Sequence, residues 1–271
     1  MRSEKMKEEP ILTIDAKYLG MKFDELIRNY PYLSKFLISS RPPKFDLGDP
    51  LTLSELNKCL FKELSELDIE VPFNHLIPAY SLRAAYAQAI NELVKSDEPI
   101  IEIGTGASGA IALILAKKYG KRIIATEINA ESYESAKKNI QQNKLEKKIT
   151  LFKSNGEIIK GIIPKGDYAA LVSYPPIYPS DLSKLKKQRG WKGVKTELIA
   201  GKNELDFAIQ LVNESLNSKD VEIDFVTVQV MNKGQLFKLL NLFSDRKDCY
   251  FIEIIAGTRK RYILVVDNRY K

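Results

Sequence analysis

From Pro99 onward the chain alternates short apolar runs with amphipathic stretches, and this alternation leaves few architectures open to it. Strands are expected at Pro99–Ile103, Arg122–Thr126, Ile149–Phe152 and Tyr168–Ser173, with helices such as Ser108–Tyr119 and Ala130–Asn143 between them. Short apolar strands joined by helices bury themselves best as a parallel, doubly wound sheet with right-handed crossovers. A fifth strand fits Glu222–Val230, preceded by a helix at Asn203–Leu216. The end differs. A helix near Gly234–Phe243 leads to runs at Tyr250–Ile255 and Tyr262–Val266, joined by the turn Gly257–Lys260. Two such runs about a short glycine-bearing turn predict an antiparallel hairpin.

The preceding residues read as helical, so two units are expected: a helical N-terminal region, 1–98, and an α/β core, 99–271. Pro31 divides the stretch Lys22–Leu37 into two short pieces. Thr52 and Glu55 form a capping-box pair at the start of a helix, followed by a core stripe at Leu53, Leu56, Leu60, Leu64 and Leu67. Another helix carries Leu82, Tyr86, Ile90 and Leu93 on one face.

Residue inventory narrows the chemistry. Cys59 and Cys249 are the only cysteines and His75 the only histidine. A Cys/His zinc site is thereby excluded, and no metal site is expected. His75 shows no acid partner in the sequence and is read as satisfying a local hydrogen bond. There is no apolar run long enough to span a membrane, and the N-terminal MRSEKMKEEP lacks a signal-peptide core, so a cytoplasmic protein is expected. A net charge of +7 favours an anionic partner, nucleic acid above all.

The segment Ile101-Glu102-Ile103-Gly104-Thr105-Gly106-Ala107-Ser108-Gly109 runs from a strand into a helix. Glycines there let the backbone turn tightly and approach a ligand at the carboxyl edge of the sheet. Glu127 ends the next strand, where a carboxylate accepts the ribose hydroxyls of an adenosine. Both features suit a nicotinamide dinucleotide as well as S-adenosylmethionine. Glu102, two residues before the first glycine, favours S-adenosylmethionine, as do the Pro-Pro element ending the fourth strand and the terminal hairpin. Asn155 and Ser154, after the third strand, are placed to border the adenine.

The fourth strand runs into Tyr174-Pro175-Pro176-Ile177-Tyr178, where amino methyltransferases carry an Asn/Asp-Pro-Pro-aromatic motif. An exocyclic amine is a poor nucleophile, because its lone pair is delocalised into the ring. The motif's amide oxygen and first-proline carbonyl accept its N–H groups and aim that lone pair, a gain in position and electrostatics.

With these motifs in view, the chain resembles the class I RNA adenine-N6 methyltransferase family that includes the bacterial 23S ribosomal RNA enzyme and eukaryotic methyltransferase-like sixteen. The likeness runs through Asp49-Pro50, Leu76-Ile77-Pro78 to Leu82-Arg83, Ile103 to Ser108, Ala125-Thr126-Glu127, Ala136 to Asn139 and Pro175-Pro176. It continues in Thr196-Glu197 through Gly201, Glu204 and Phe207, and in Gly257-Thr258-Arg259 to Arg261-Tyr262. It implies a Rossmann-like, seven-stranded sheet with a terminal antiparallel hairpin. It also implies S-adenosyl-L-methionine as cofactor, S-adenosyl-L-homocysteine as product, and structured RNA, ribosomal or small, as substrate. Arg83, Gly104, Gly106, Ser108 and Glu127 would line the cofactor pocket, with Arg83 near the methionine carboxylate. Tyr174, Pro175, Pro176 and Ile177 would form the target side. The family has asparagine at position 174 and phenylalanine at 177, so this chain lacks both the amide and the stacking ring there.

Beyond the Pro-Pro element lie Lys184, Lys186, Lys187, Arg189, Lys192 and Lys195 with Trp191 among them and no acid, a pattern suited to phosphates and a stacked base. Lys5, Lys7, Lys17, Lys22, Arg28, Lys35, Arg41 and Lys44 could add charge from the N-terminal side, and Arg259, Lys260 and Arg261 from the last turn. Four activities stay open on the residues: an RNA adenine-N6 methyltransferase, a catalytically silent RNA-binding relative, a methyltransferase acting on another atom or on protein, and a nicotinamide oxidoreductase. Oligomeric state is open, with the monomer favoured.

Overall fold

The computed structural model describes residues 9–16, 21–175, 193, 203–245 and 247–269. In chain order they form β1 (Leu12–Asp15), α1 (Phe23–Asn29), a 3-10 helix (Pro31–Phe36), β2 (Leu37–Ser40), β3 (Pro43–Phe45), α2 (Pro50–Ser65) and α3 (Tyr80–Leu93). The core follows with β4 (Ile100–Ile103), α4 (Ala110–Lys118), β5 (Ile123–Glu127), α5 (Ala130–Gln142), β6 (Ile149–Lys153) and β7 (Gly166–Ser173). It ends with α6 (Asp206–Asn217), β8 (Val221–Val230), α7 (Lys233–Phe243), β9 (Asp248–Ala256) and β10 (Arg259–Asp267).

One sheet holds eight strands in the order β1-β9-β10-β8-β7-β4-β5-β6. Strands β4 to β8 pair in parallel, and β10 lies antiparallel between β8 and β9. The chain winds outward from β4 through β5 to β6, then returns to β7 and β8. Strand order therefore reverses between β4 and β7, and the crevice at their carboxyl ends is where such sheets bind ligands.

The strands expected from Pro99 onward and the closing hairpin are all present. The count differs from seven because β1 adds itself in parallel to the edge of β9, Ile14 opposite Ile254. Only Ile14 of its four residues is buried, too short a pattern to be read as a strand. The N-terminal stretch read as helical thus contributes three strands as well as helices. Helix α2 also begins earlier than the Thr52–Glu55 pair suggested. Asp49 is its cap, accepting the Thr52 N–H at 2.8 Å and the Thr52 hydroxyl at 2.6 Å, with Pro50 in the first turn. Aspartate caps at least as well as threonine, and proline lacks the N–H that a first turn leaves unpaired.

Alternation along the strands divides the core. Ile100, Ala170, Val172, Phe225 and Ile263 pack with α3 and α4 on one face, while Ile101, Leu171, Val226, Val228 and Leu264 pack with α6 and α7 on the other. Helix α4 is buried from Ala110 to Ala116, which fits its position in the middle of the layer. A separate small core of Leu26, Leu33, Phe45, Leu56 and Cys59 holds the N-terminal elements together. Among the described residues, no helix is long and apolar enough to cross a membrane.

Candidate active site

Residues 104–109 link β4 to α4 at the carboxyl edge. Gly104, Gly106 and Gly109 have φ of +75°, +68° and +63°, a left-handed conformation that side chains disfavour. A Cβ on Gly104 or Gly106 would meet nothing within 4 Å, so both border open space. The loop's N–H groups are tied to the end of β5. Gly104 and Thr105 both donate to the Thr126 carbonyl at 3.0 Å, and Gly106 donates to Oε2 of Glu127 at 2.8 Å. Oε1 of Glu127 accepts the Asn129 N–H at 2.7 Å. The Glu127 carboxylate is buried and aimed by two backbone donors. Each oxygen has a second lone pair, so the pair can still accept vicinal hydroxyls.

The loop's other side hangs on Asn139 of α5, which is fully buried. Its amide nitrogen lies 3.3 Å from the Ala107 carbonyl, 3.1 Å from that of Ser108 and 2.8 Å from that of Glu70, and its oxygen accepts the Glu70 N–H. No bracing role for Asn139 is legible in the sequence beyond one signal, an inward-facing amide on an amphipathic helix. Ser108 has a more local task, its hydroxyl accepting the Ala110 N–H at 3.3 Å in the first turn of α4.

Glu102 is 3% exposed and accepts the Thr105 hydroxyl at 2.6 Å. Burial pushes its carboxyl from the ordinary 4.5 up to about 7, against the pull of Thr105, the Ala112 backbone and the Arg83 charge, and with a further push from Glu127. Arg83 projects from α3, its guanidinium 4.1 Å from the centroid of the Tyr174 ring. Tyr174 packs against the α3-side core, and Pro175 is buried. Tyr86, expected only as a core residue, also orders this corner. Its hydroxyl donates to the Ser173 carbonyl at 3.2 Å and lies 3.0 Å from the Thr227 hydroxyl. The Ser173 hydroxyl donates to the Ile103 carbonyl at 3.1 Å, tying β7 to β4.

At the end of β6, Asn155 is exposed, whereas Ser154 is buried with its hydroxyl donating to the Glu157 carbonyl at 2.8 Å. His75 does have an acid nearby. Nε2 lies 3.2 Å from Glu131, and Nδ1 lies 3.2 Å from the Ser132 hydroxyl, joining the loop before α3 to the first turn of α5. The partner is invisible in sequence because it comes from a distant element. Of the final basic cluster, Lys260 pairs with Glu253 at 3.0 Å and Arg261 donates to the Met231 carbonyl at 3.3 Å, leaving Arg259 the more outward charge. Pro176, Ile177 and Tyr178 lie outside the described residues, as do Lys184, Lys186, Lys187, Arg189, Trp191, Lys192 and Lys195.

A doubly wound sheet ending in an antiparallel hairpin, with a glycine loop after its first core strand and an acid ending the second, defines a class I S-adenosylmethionine-dependent methyltransferase. Within that class the chain belongs to the family described as RNA methyltransferase, which residues 12–245 match. A Methanocaldococcus jannaschii protein named as a methyltransferase is 31% identical over 257 residues, 91% of this chain and 98% of that one. The Caenorhabditis elegans U6 small nuclear RNA (adenine-(43)-N(6))-methyltransferase is 30% identical over 281 residues, 89% of this chain and 58% of that enzyme. The catalytic domain of human Mettl16 in complex with the MAT2A 3′UTR hairpin 1 superimposes with a TM-score of 0.84 at 25% identity, covering 92% of this chain and 91% of that one. The human METTL16 N-terminal domain in complex with S-adenosylhomocysteine shares the fold, with a TM-score of 0.76 at 24% identity.

Proposed function

We propose that the protein methylates the N6 amine of an adenosine within a structured RNA, using S-adenosylmethionine. The observation that carries this reading is the arrangement at the sheet's mouth, where open-sided Gly104 and Gly106 lie beside the braced, buried Glu127. Bound there, S-adenosylmethionine would supply an electrophilic methyl group on its sulfonium, with S-adenosylhomocysteine as the product. Glu127 receives the ribose hydroxyls, Asn155 borders the adenine ring, and Ser108 shapes the first turn of α4. Glu102 and Arg83 face the methionine amino and carboxylate groups. Burial of Glu102 and Glu127 keeps water from these two carboxylates and strengthens their contacts.

On the target side, Tyr174 brings no amide, but its ring is turned onto Arg83 and the α3-side core. The Pro175 carbonyl is then the acceptor assigned to an N6–H, with Pro176 and Ile177 shaping the rest of the loop. The basic run Lys184–Lys195 with Trp191 holds the RNA backbone and a base, and the N-terminal region, 1–98, grips the RNA from the other side. The unpaired cysteines Cys59 and Cys249 suit a reducing compartment, and the protein is assigned to the cytoplasm.

Incubation with methyl-labelled S-adenosylmethionine and total cellular RNA, followed by digestion and mass spectrometry of the nucleosides, tests the reading. N6-methyladenosine is the expected product. Absence of label from every RNA would instead favour the second reading that the missing amide at 174 motivates, an RNA-binding protein without transfer activity.

A further inference from the structure

Gln229 sits one residue before the end of β8, at the same carboxyl edge as the glycine loop. It is 0% exposed, and among the described residues neither its amide oxygen nor its amide nitrogen has a hydrogen-bond partner. A buried carboxamide with both ends unpaired is destabilising, and native proteins hold few such groups without a reason.

Its surroundings supply one. Ser173 of β7 pairs with Val228 of β8, so the next step outward brings Tyr174 level with Gln229. Along β8, Phe225 belongs to the α3-side core and Thr227 meets the Tyr86 hydroxyl, which puts Gln229 on that face by strand alternation. Tyr174 packs against the same core beneath Arg83. The unpaired amide is therefore the neighbour, one strand over, of the position where the Pro-Pro motif lacks an amide. Neighbouring strands lie about 4.8 Å apart, and glutamine has one methylene more than asparagine with which to reach across.

We propose that Gln229 holds the target base, its carbonyl accepting an N6–H of adenine and its NH2 donating to an adjacent ring nitrogen. This rests on the RNA-methylating activity proposed above and deepens it: the amide absent from β7 at Tyr174 is supplied from β8. A carboxamide presents one acceptor and one donor in a plane, the complement of an exocyclic amine beside a ring acceptor. Gln229 is 0% exposed, so base entry requires its cover to shift, with Tyr174 the residue level with it on the neighbouring strand.

The test is Gln229→Met, which keeps the volume and removes the amide, with Gln229→Leu as a second apolar replacement. Both should melt at or above the wild-type temperature, because an unpaired buried amide is gone, and both should bind S-adenosylhomocysteine with unchanged affinity. Formation of N6-methyladenosine should fall about tenfold or more, the worth of a bidentate base contact. Wild-type rates in both variants would overturn the proposal. So would a lowered melting temperature with cofactor affinity falling in step with activity, which would assign the amide to the fold. A wild-type enzyme that methylates no RNA overturns the functional reading and this one together, whereas an active wild type with active variants overturns this one alone.

Discussion

Glu102 carries a proton that folding makes hard to lose. Its carboxyl titrates at about 7 in the folded protein against an ordinary 4.5, chiefly because burial disfavours the charged form. A raised folded value means that its contribution to stability is complete below about 4.5 and is lost as pH rises through about 7. Ligand-free protein should therefore lose up to about 1.4 kcal/mol per pH unit across that window from this group. Urea denaturation at pH 5, 6 and 7 should show the slope in the wild type and a flatter profile in Glu102→Gln. A methionine ammonium beside Glu102 favours the ionised form, so cofactor binding near pH 6.5 should release a proton that Glu102→Gln does not. Gly106 makes a separate prediction. At φ +68° a side chain costs about 1–2 kcal/mol, although the space beside it is open. Gly106→Ala should lower stability by about that amount and weaken cofactor binding, as read by calorimetry.

Helices and strands are the most legible part of the chain, because burial imposes a period on each. The runs ending in Ile103 and Ser173 are mostly apolar, as strands covered on both faces must be, whereas β8 interleaves apolar residues with Glu222, Asp224, Thr227 and Gln229. The terminal hairpin is legible from its turn. What escapes is short or distant. Strand β1 buries one residue, the α2 cap comes from an aspartate before a proline, and the partners of Asn139 and His75 come from segments far away in sequence. The site divides the same way. Gly104, Gly106 and Glu127 announce themselves by spacing at strand ends, whereas Gln229 looks like any other of the polar residues interleaved along β8 until its lack of partners is seen. Asn139 is the clearest test of an element's bracing role. Asn139→Leu strands the buried Ala107 and Ser108 carbonyls, each worth about 1–3 kcal/mol when left without a partner, and removes both bonds to the Glu70 backbone. It should lower unfolding free energy by at least about 2 kcal/mol and loosen the glycine loop, seen as faster amide exchange at residues 104–109.

Taken over the full chain, a charge of +7 sits on a fold whose family acts on RNA. RNA affinity should fall steeply with salt, each phosphate neutralised on a duplex steepening the log–log slope by about 0.9. Replacing Lys184, Lys186 and Lys187 by glutamine should flatten that slope by about 0.9 for every phosphate these lysines neutralise, leaving cofactor affinity untouched. All of this depends on the adenosine and amino-acid parts shared by S-adenosylmethionine and S-adenosylhomocysteine fitting between the glycine turn and Glu127. Calorimetric titration of folded, ligand-free protein with S-adenosylhomocysteine measures that fit directly. The result predicted is saturable binding of one molecule per chain, sharply weakened by Glu127→Ala; a wild-type protein that binds none would contradict it.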